Sequence, residues 1–297
     1  MIELRQLRYF VAVAEELHFG RAAVRLHMTQ PPLSQTIQAL ETELGHTLFA
    51  RTNRSVALTA AGHALLTQAR RLLEQAQALP EIVQQAASGA AGHLALAFVS
   101  SADYSVLPPF LRDFRQHYPL VEITLREATT DVQLDDLAQN RIDLGLLIAP
   151  LPQERSTELD YLPVLLERLI LAAPKGIQAL SGKTAVTLNA VATLPLIIFP
   201  RRIAPAFHDA ILATFNDAGL TPRIGQEAIQ MQTIVGLVSA GMGVALVPQS
   251  VSNLQRPGVE YKTLRGKIPL IETGVAWRRD NRSPVLHAFL AFLRKRT

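Results

Sequence analysis

The stretch His27-Met28-Thr29-Gln30-Pro31-Pro32-Leu33-Ser34-Gln35-Thr36-Ile37 decides the fold. Adjacent prolines are tolerated in a helix only in its first turn, where the missing N–H groups have no intrahelical acceptor. Thr29 is a natural N-cap, so a helix starts close to Gln30. Leu33, Ile37, Leu40 and Leu44 then recur at i, i+4, i+7 and i+11 and form its buried stripe. The opposite face carries Gln30, Ser34, Gln35 and Gln38, uncharged and rich in hydrogen-bonding groups. Such side chains suit base edges in a major groove.

Working outward, Leu4, Leu7, Phe10, Val11, Ala14 and Leu17 lie on one face of a first helix, and Ala22, Ala23 and Leu26 turn inward from a short second one. Beyond Gly45, residues 48–58 read as two short strands about a turn at Asn53, a wing with Arg51 and Arg54 near its tip. Arginines there can grip phosphates or enter the minor groove. Alone, this is equally a solvated turn; beside the third helix it completes a winged helix-turn-helix. Net basicity does not make the case. Residues 1–58 hold six arginines and no lysine against five glutamates, and every lysine lies beyond residue 174.

The block resembles the LysR-type transcriptional regulators. The carrying residues are Leu7-Arg8-Tyr9-Phe10, Phe19-Gly20-Arg21-Ala22-Ala23, Leu26-His27-Met28-Thr29-Gln30-Pro31-Pro32-Leu33-Ser34, Leu40-Glu41, Gly45, Leu48-Phe49, Arg51 and Leu58-Thr59-Ala60-Ala61-Gly62. The likeness continues more loosely over nearly the whole chain. It implies that Gln30, Pro31 and Ser34 approach the bases and Arg54 the wing-side groove. Gln35 departs from the arginine frequent in the family, so a phosphate contact is lost or exchanged for a base contact.

Whole-chain properties agree. A length of 297 residues suits two or three domains, and 48% hydrophobic residues suffices for real cores. No stretch approaches a transmembrane helix and Met1 leads straight into an amphipathic helix, so a cytoplasmic protein without membrane partners is expected. Zero cysteines excludes disulfides, thiolate metal sites and cysteine nucleophiles. The eight histidines show no metal-ligand spacing, and nucleophile-elbow, P-loop and dinucleotide fingerprints are absent. Asp135-Asp136, beside Gln133 and Gln139, reads as a solvated helix face. No catalytic residue, metal or cofactor is expected.

Residues 59–87 read as one helix of about 43 Å, capped by Thr59. Leu65, Leu66, Ala69, Leu72, Leu73, Ala76 and Leu79 make a seam at heptad-like spacing. The seam packs either on its own domain or, as favoured here and implied by the resemblance, on a partner helix in a dimer. Pro80 should kink or divide the helix. Ala86-Ala87-Ser88-Gly89-Ala90-Ala91-Gly92 reads as a flexible linker. The expected division is 1–58 winged head, 59–88 linker helix and 89–297 effector domain.

From residue 94 short apolar strands alternate with helices. Strands at 94–99, 121–126 and 142–148 and helices at 106–117 and 131–140 make βαβαβ, hence parallel strands. A second unit has strands near 168–173, 196–199, 223–227 and 244–247 and helices near 206–218 and 232–240. A strand at 269–276 and a helix at 284–295 return to the first unit. The chain then crosses near 163–166 and 264–268, giving subdomain I (about 92–163 and 268–297) and subdomain II (about 164–267). Two crossings make a hinged pair with a cleft, as in the periplasmic binding protein-like effector domain of the family. The expected class is multi-domain α+β.

Ligands of such sheets sit beyond the carboxyl ends of strands. Ser100-Ser101 and Thr129-Thr130 occupy two such ends, each before a helix. Hydroxyls and free N–H groups there can receive a carboxylate without a buried cation, or merely cap the helices. Leu147 and Ile148 are an expected apolar floor, Pro205-Ala206-Phe207 supplies an apolar wall, and Arg202 is a second anion partner or a bland loop arginine. These stretches resemble the subgroup governing breakdown of aromatic compounds, in which the positions of Ser101, Thr130 and Phe207 line the effector site. The expectation is a homo-oligomeric activator, dimer or tetramer, that binds promoter DNA and an aromatic or dicarboxylic acid and, by resemblance, contacts RNA polymerase. The alternatives are a ligand-released repressor of the same build and a cytoplasmic solute-binding protein whose head only dimerises.

Overall fold

The computed structural model describes every residue except 53, 54, 156, 183 and 297, and it divides into two compact units, Met1–Gln84 and Gln85–Thr297. In the first, α1 (Leu4–Glu16), α2 (Phe19–Arg25) and α3 (Gln30–Leu44) close over Leu7, Phe10, Val13, Ala22, Leu33, Ile37 and Leu40, all buried. Thr29 is the N-cap residue of α3, but its hydroxyl makes no cap hydrogen bond. A cap hydroxyl accepts from the second or third helical N–H, and both of those positions are proline. Gly45, in the left-handed conformation at φ 70°, ends the helix. The strands β1 (Phe49–Arg51) and β2 (Val56–Leu58) pair antiparallel, Phe49 opposite Leu58 and Arg51 opposite Val56. The predicted turn at Asn53 and the groove-reaching Arg54 lie outside the described residues.

Next comes α4 (Ala60–Ser88), whose first turn is held by Thr59: its hydroxyl accepts from Gly62 N at 3.0 Å. Pro80 does not divide the helix. Residues 77–84 are all exposed, so water can take the carbonyl that proline leaves without an N–H partner. The predicted seam splits. Ala69 is buried in the head's own core and Leu65, Leu66 and Leu73 pack against it, while Leu72 and Leu79 stay exposed and Ala76 is half-buried. The exposed stripe runs on through Ile82 and Val83, 56% and 66% accessible. The expected flexible linker is also absent. The helix persists to Ser88, Gly89 turns left-handed at φ 74°, and Ala90 N donates to Gln85 O at 2.9 Å, a closed helix end. A Cβ on Gly89 would lie 2.3 Å from Pro284 O.

The second unit continues with β3 (Ala91–Phe98), α5 (Ser100–Asp103), α6 (Leu107–His117), β4 (Leu120–Glu127), α7 (Thr130–Ala138), β5 (Leu144–Ile148) and β6 (Leu159–Pro174). Then follow β7 (Ala185–Thr187), α8 (Leu188–Ala192), β8 (Pro195–Ile198), α9 (Pro205–Asn216), β9 (Arg223–Glu227), α10 (Met231–Ser239) and β10 (Ala245–Pro248). The chain closes with β11 (Val259–Arg265), β12 (Leu270–Arg278) and α11 (Pro284–Arg294). The expected parallel pairs are present, β3 lying between β4 and β5. The strands run β4-β3-β5-β12-β6-β11-β7, with β10 also on β6 and β8-β9 a separate parallel pair.

The first crossing is not a loop. β6 is one 16-residue strand: residues 159–168 pair with β12, while its later residues pair with β10 and β11. Pro163 is accommodated because the register with β12 slips between Thr273 and Gly274, opposite Pro163 and Leu165. A strand proline is tolerated at such a bulge, where no ladder N–H is required. Leu94, Phe114, Leu146, Trp277 and Phe289 anchor the core of subdomain I. Leu171, Ile197, Phe207, Phe215, Val235 and Val247 anchor that of subdomain II.

Candidate effector cavity and DNA-reading surface

On the winged unit, Gln30, Pro31, Gln35 and Gln38 are exposed on α3 and Ser34 is half-buried. Of the stripe behind them, Leu33, Ile37 and Leu40 are buried in the core and Leu44 packs partly buried against it. Arg51 differs from expectation. Its guanidinium is 2.9 Å from Glu41 Oε2 and lies 4.7 Å over the Phe19 ring. The other Glu41 oxygen accepts from Leu48 N at 2.8 Å and Phe49 N at 3.2 Å. Arg51 is therefore part of a staple that ties the wing to α3 and α2, with its side chain still 32% exposed. Nothing in the spacing marks Glu41 as the acceptor for three donors.

In the second unit, all seven residues singled out from sequence, Ser100, Ser101, Thr129, Thr130, Arg202, Pro205 and Phe207, line one cavity of about 350 Å³ between the subdomains. That volume is at the small end of ligand pockets, about 300–1,000 Å³. The seven do not share one role. Ser100 Oγ accepts from Met231 N at 3.2 Å, so it links subdomain I to the first turn of α10. Thr129 is the N-cap residue of α7 without a cap bond; its hydroxyl donates to the Asp131 carboxylate instead. The hydroxyls left uncommitted are therefore those of Thr130, which begins α7, and of Ser101, whose residue is only 3% exposed and whose Oγ has no partner among the described residues.

Opposite them Phe207, buried at the start of α9, is braced edge-on by Phe199 at 5.6 Å between ring centroids. Of the expected floor only Ile148 reaches the cavity. Leu147 points to the other face of β5, among Leu134, Leu137 and Ala276, because successive strand residues alternate sides. Arg202 is exposed at the rim.

The wall and the layer behind it hold further polar and charged groups whose partners the spacing does not show. Asp136, expected on a solvated face, is fully buried, with Arg126 and Arg141 each 2.5 Å from its carboxylate. Gln133 is buried as well, donating to Ala128 O at 2.8 Å and so fixing the start of α7. Asp135 is the exposed member, paired with Arg155. Arg126 lines the cavity, and so does Glu127, whose carboxyl is held above its ordinary value by partial burial and then by the charge of Asp103. Among the described residues no group of three or more histidines, cysteines or carboxylates is placed to hold a metal. No described helix is long and apolar enough to cross a membrane.

Residues 4–63 match the family described as bacterial regulatory helix-turn-helix protein, lysR family, and residues 87–297 match the LysR substrate binding domain. The chain is 47% identical to the HTH-type transcriptional regulator IlvR of Caulobacter vibrioides, over 97% of this chain and 96% of that one. It is 40% identical to the regulator AlsR of Bacillus subtilis, over 97% and 94%. The solved full-length CbnR in complex with its target DNA superposes with a TM-score of 0.85 at 32% identity, over 99% of both chains.

Proposed function

This chain belongs to the LysR family, as a DNA-binding transcriptional regulator with an effector-binding domain and not an enzyme, and on that premise we propose that it is an activator controlled by a small organic acid of the aromatic or dicarboxylic kind. The observation that carries the ligand reading is the buried, unpartnered hydroxyl of Ser101, a residue lining the cavity that α7 enters by its N-terminus. A carboxylate there meets Ser101, Thr130 and the unpaired N–H groups of the first turn of α7. The apolar body of the acid lies against Phe207 and Ile148. A ligand bound to both subdomains favours one closure angle through its differential affinity.

On the DNA side, Gln30, Pro31, Ser34, Gln35 and Gln38 read bases from α3, and Thr29 and the wing approach the backbone, Arg54 serving the adjoining groove as the family resemblance implies. The solved complex of CbnR with its target DNA supports this docking. Two copies pair through the exposed stripe of α4, Leu72, Leu79, Ile82 and Val83, with Ala76 at its margin. Tetramers form through the effector domains. Effector-driven closure changes the spacing of the heads and the bend of the operator, and transcription follows through contact with RNA polymerase in the cytoplasm. Calorimetry on the full chain with benzoate and succinate tests the cavity. Ser101→Ala combined with Thr130→Ala should weaken the acid that binds while operator affinity persists; unchanged ligand affinity overturns the placement. Deleting the gene should silence its target promoter, whereas derepression would identify a repressor.

A further inference from the structure

Four charged residues line the cavity: Arg126, Glu127, Asp131 and Arg202. Two are already engaged. Arg126 is held by the buried Asp136 at 2.5 Å, and Asp131, in the first turn of α7, takes the Thr129 hydroxyl. Neither the Glu127 carboxylate nor the Arg202 guanidinium has an ion-pair or hydrogen-bond partner among the described residues. They stand on opposite subdomains. Glu127 is the last residue of β4 and precedes by three residues the start of α7, where the carboxylate seat lies. Three residues span at most roughly 10 Å, so an acid and an anion seat share one lip of the cleft. A plain carboxylate or dicarboxylate placed there is repelled by Glu127.

A ligand with a cation beside its carboxylate removes that conflict. We propose that the effector is a 2-amino acid with an apolar or aromatic side chain, its ammonium group donating to Glu127. Its carboxylate sits at Ser101, Thr130 and the first turn of α7, and Arg202 meets it when the cleft closes. The buried, unpartnered Ser101 hydroxyl is the independent mark of a carboxylate seat beside the acid. The side chain runs toward Ile148, Met231 and the Phe199–Phe207 pair. The inference rests on the organic-acid reading above and sharpens it.

The test uses matched acids that differ only in the 2-amino group: valine with 3-methylbutanoate, phenylalanine with 3-phenylpropanoate, and leucine with 4-methylpentanoate. Calorimetry on the full-length protein reads the affinity ratio within each pair. In a pair that binds, the amino member should be about tenfold tighter, the strength of one charge-assisted contact. Glu127→Gln should collapse that ratio, and Glu127→Lys should invert it. Equal or weaker binding of the amino member, or a ratio that Glu127→Gln leaves unmoved, overturns the inference. Ser101→Val with Thr130→Val should weaken both members of a pair alike. If that double variant changes neither affinity, or none of the six compounds binds wild type, the organic-acid placement itself fails and takes this inference with it. If it weakens both while Glu127→Gln does nothing, only the amino-acid assignment fails.

Discussion

Replacing Glu41 by alanine should unfasten the wing. One carboxylate serves three donors, Leu48 N at 2.8 Å, Phe49 N at 3.2 Å and the Arg51 guanidinium at 2.9 Å, and its side chain is only 13% accessible. Leu48 and Phe49 are themselves buried. A buried N–H deprived of its acceptor costs about 1–3 kcal/mol. Two such groups, partly relieved by entering water, give about 2–4 kcal/mol against the closed wing. At 1.4 kcal/mol per factor of ten, the lower figure alone is roughly a 30-fold loss of amide protection. Hydrogen exchange read by mass spectrometry over the peptide holding residues 46–51 measures this directly. Glu41→Gln keeps an acceptor and should lose much less than the alanine variant. Unchanged protection in Glu41→Ala would refute the staple.

Three further outcomes follow from the packing. Gly62→Ala should lower the melting temperature although alanine is the better helix former by about 1 kcal/mol, because the new Cβ would sit 2.2 Å from Leu48 O; a higher melting temperature contradicts that contact. Asp136→Asn should destabilise the effector unit by about 1–3 kcal/mol, the loss of charge-assisted bonds from a buried carboxylate to two half-exposed arginines, read as a shifted urea midpoint; a change near zero would mean that Arg126 and Arg141 are satisfied elsewhere. Glu167 is half-buried with its carboxylate on Ser250 N and Oγ, and burial outweighs those bonds to hold its carboxyl above the ordinary 4.5. Below that value both the folded and unfolded forms carry the proton. Above it the unfolded chain releases the proton first, so wild type should lose stability relative to Glu167→Gln as pH rises from about 4 to about 7. Melting curves of the two proteins at both pH values check the sign, and a gap that moves the other way rejects it.

Local rules carried some elements and not others. The start of α3 was legible because Pro31-Pro32 admits only one place in a helix. The same prolines, invisible as a problem in a propensity reading, take away the N–H groups that Thr29 would have capped. The cavity residues were legible because strand ends and helix starts in an α/β unit converge. Which hydroxyl is free was not, since Met231 and Asp131 claim Ser100 and Thr129 through contacts that no spacing announces. Periodicity located the apolar seam of α4 but cannot tell a seam facing its own core from one awaiting a partner. Asp136 looked solvated because its partners, Arg126 and Arg141, come from β4 and from the turn after α7. Pro163 disguised a continuous strand as a crossing, its bulge being a property of the pair with β12.

The polar face of α3 carries the proposed sequence-specific binding of DNA. The measurement is a binding titration of wild type and Gln30→Ala on two duplexes of equal length: the fragment the wild-type protein enriches from a random pool, and a shuffled version of it. Wild type should prefer the enriched fragment, and Gln30→Ala should surrender about 1–3 kcal/mol of that preference while binding the shuffled duplex as before. Equal affinity of wild type for both duplexes, or an undiminished preference in the variant, would contradict it.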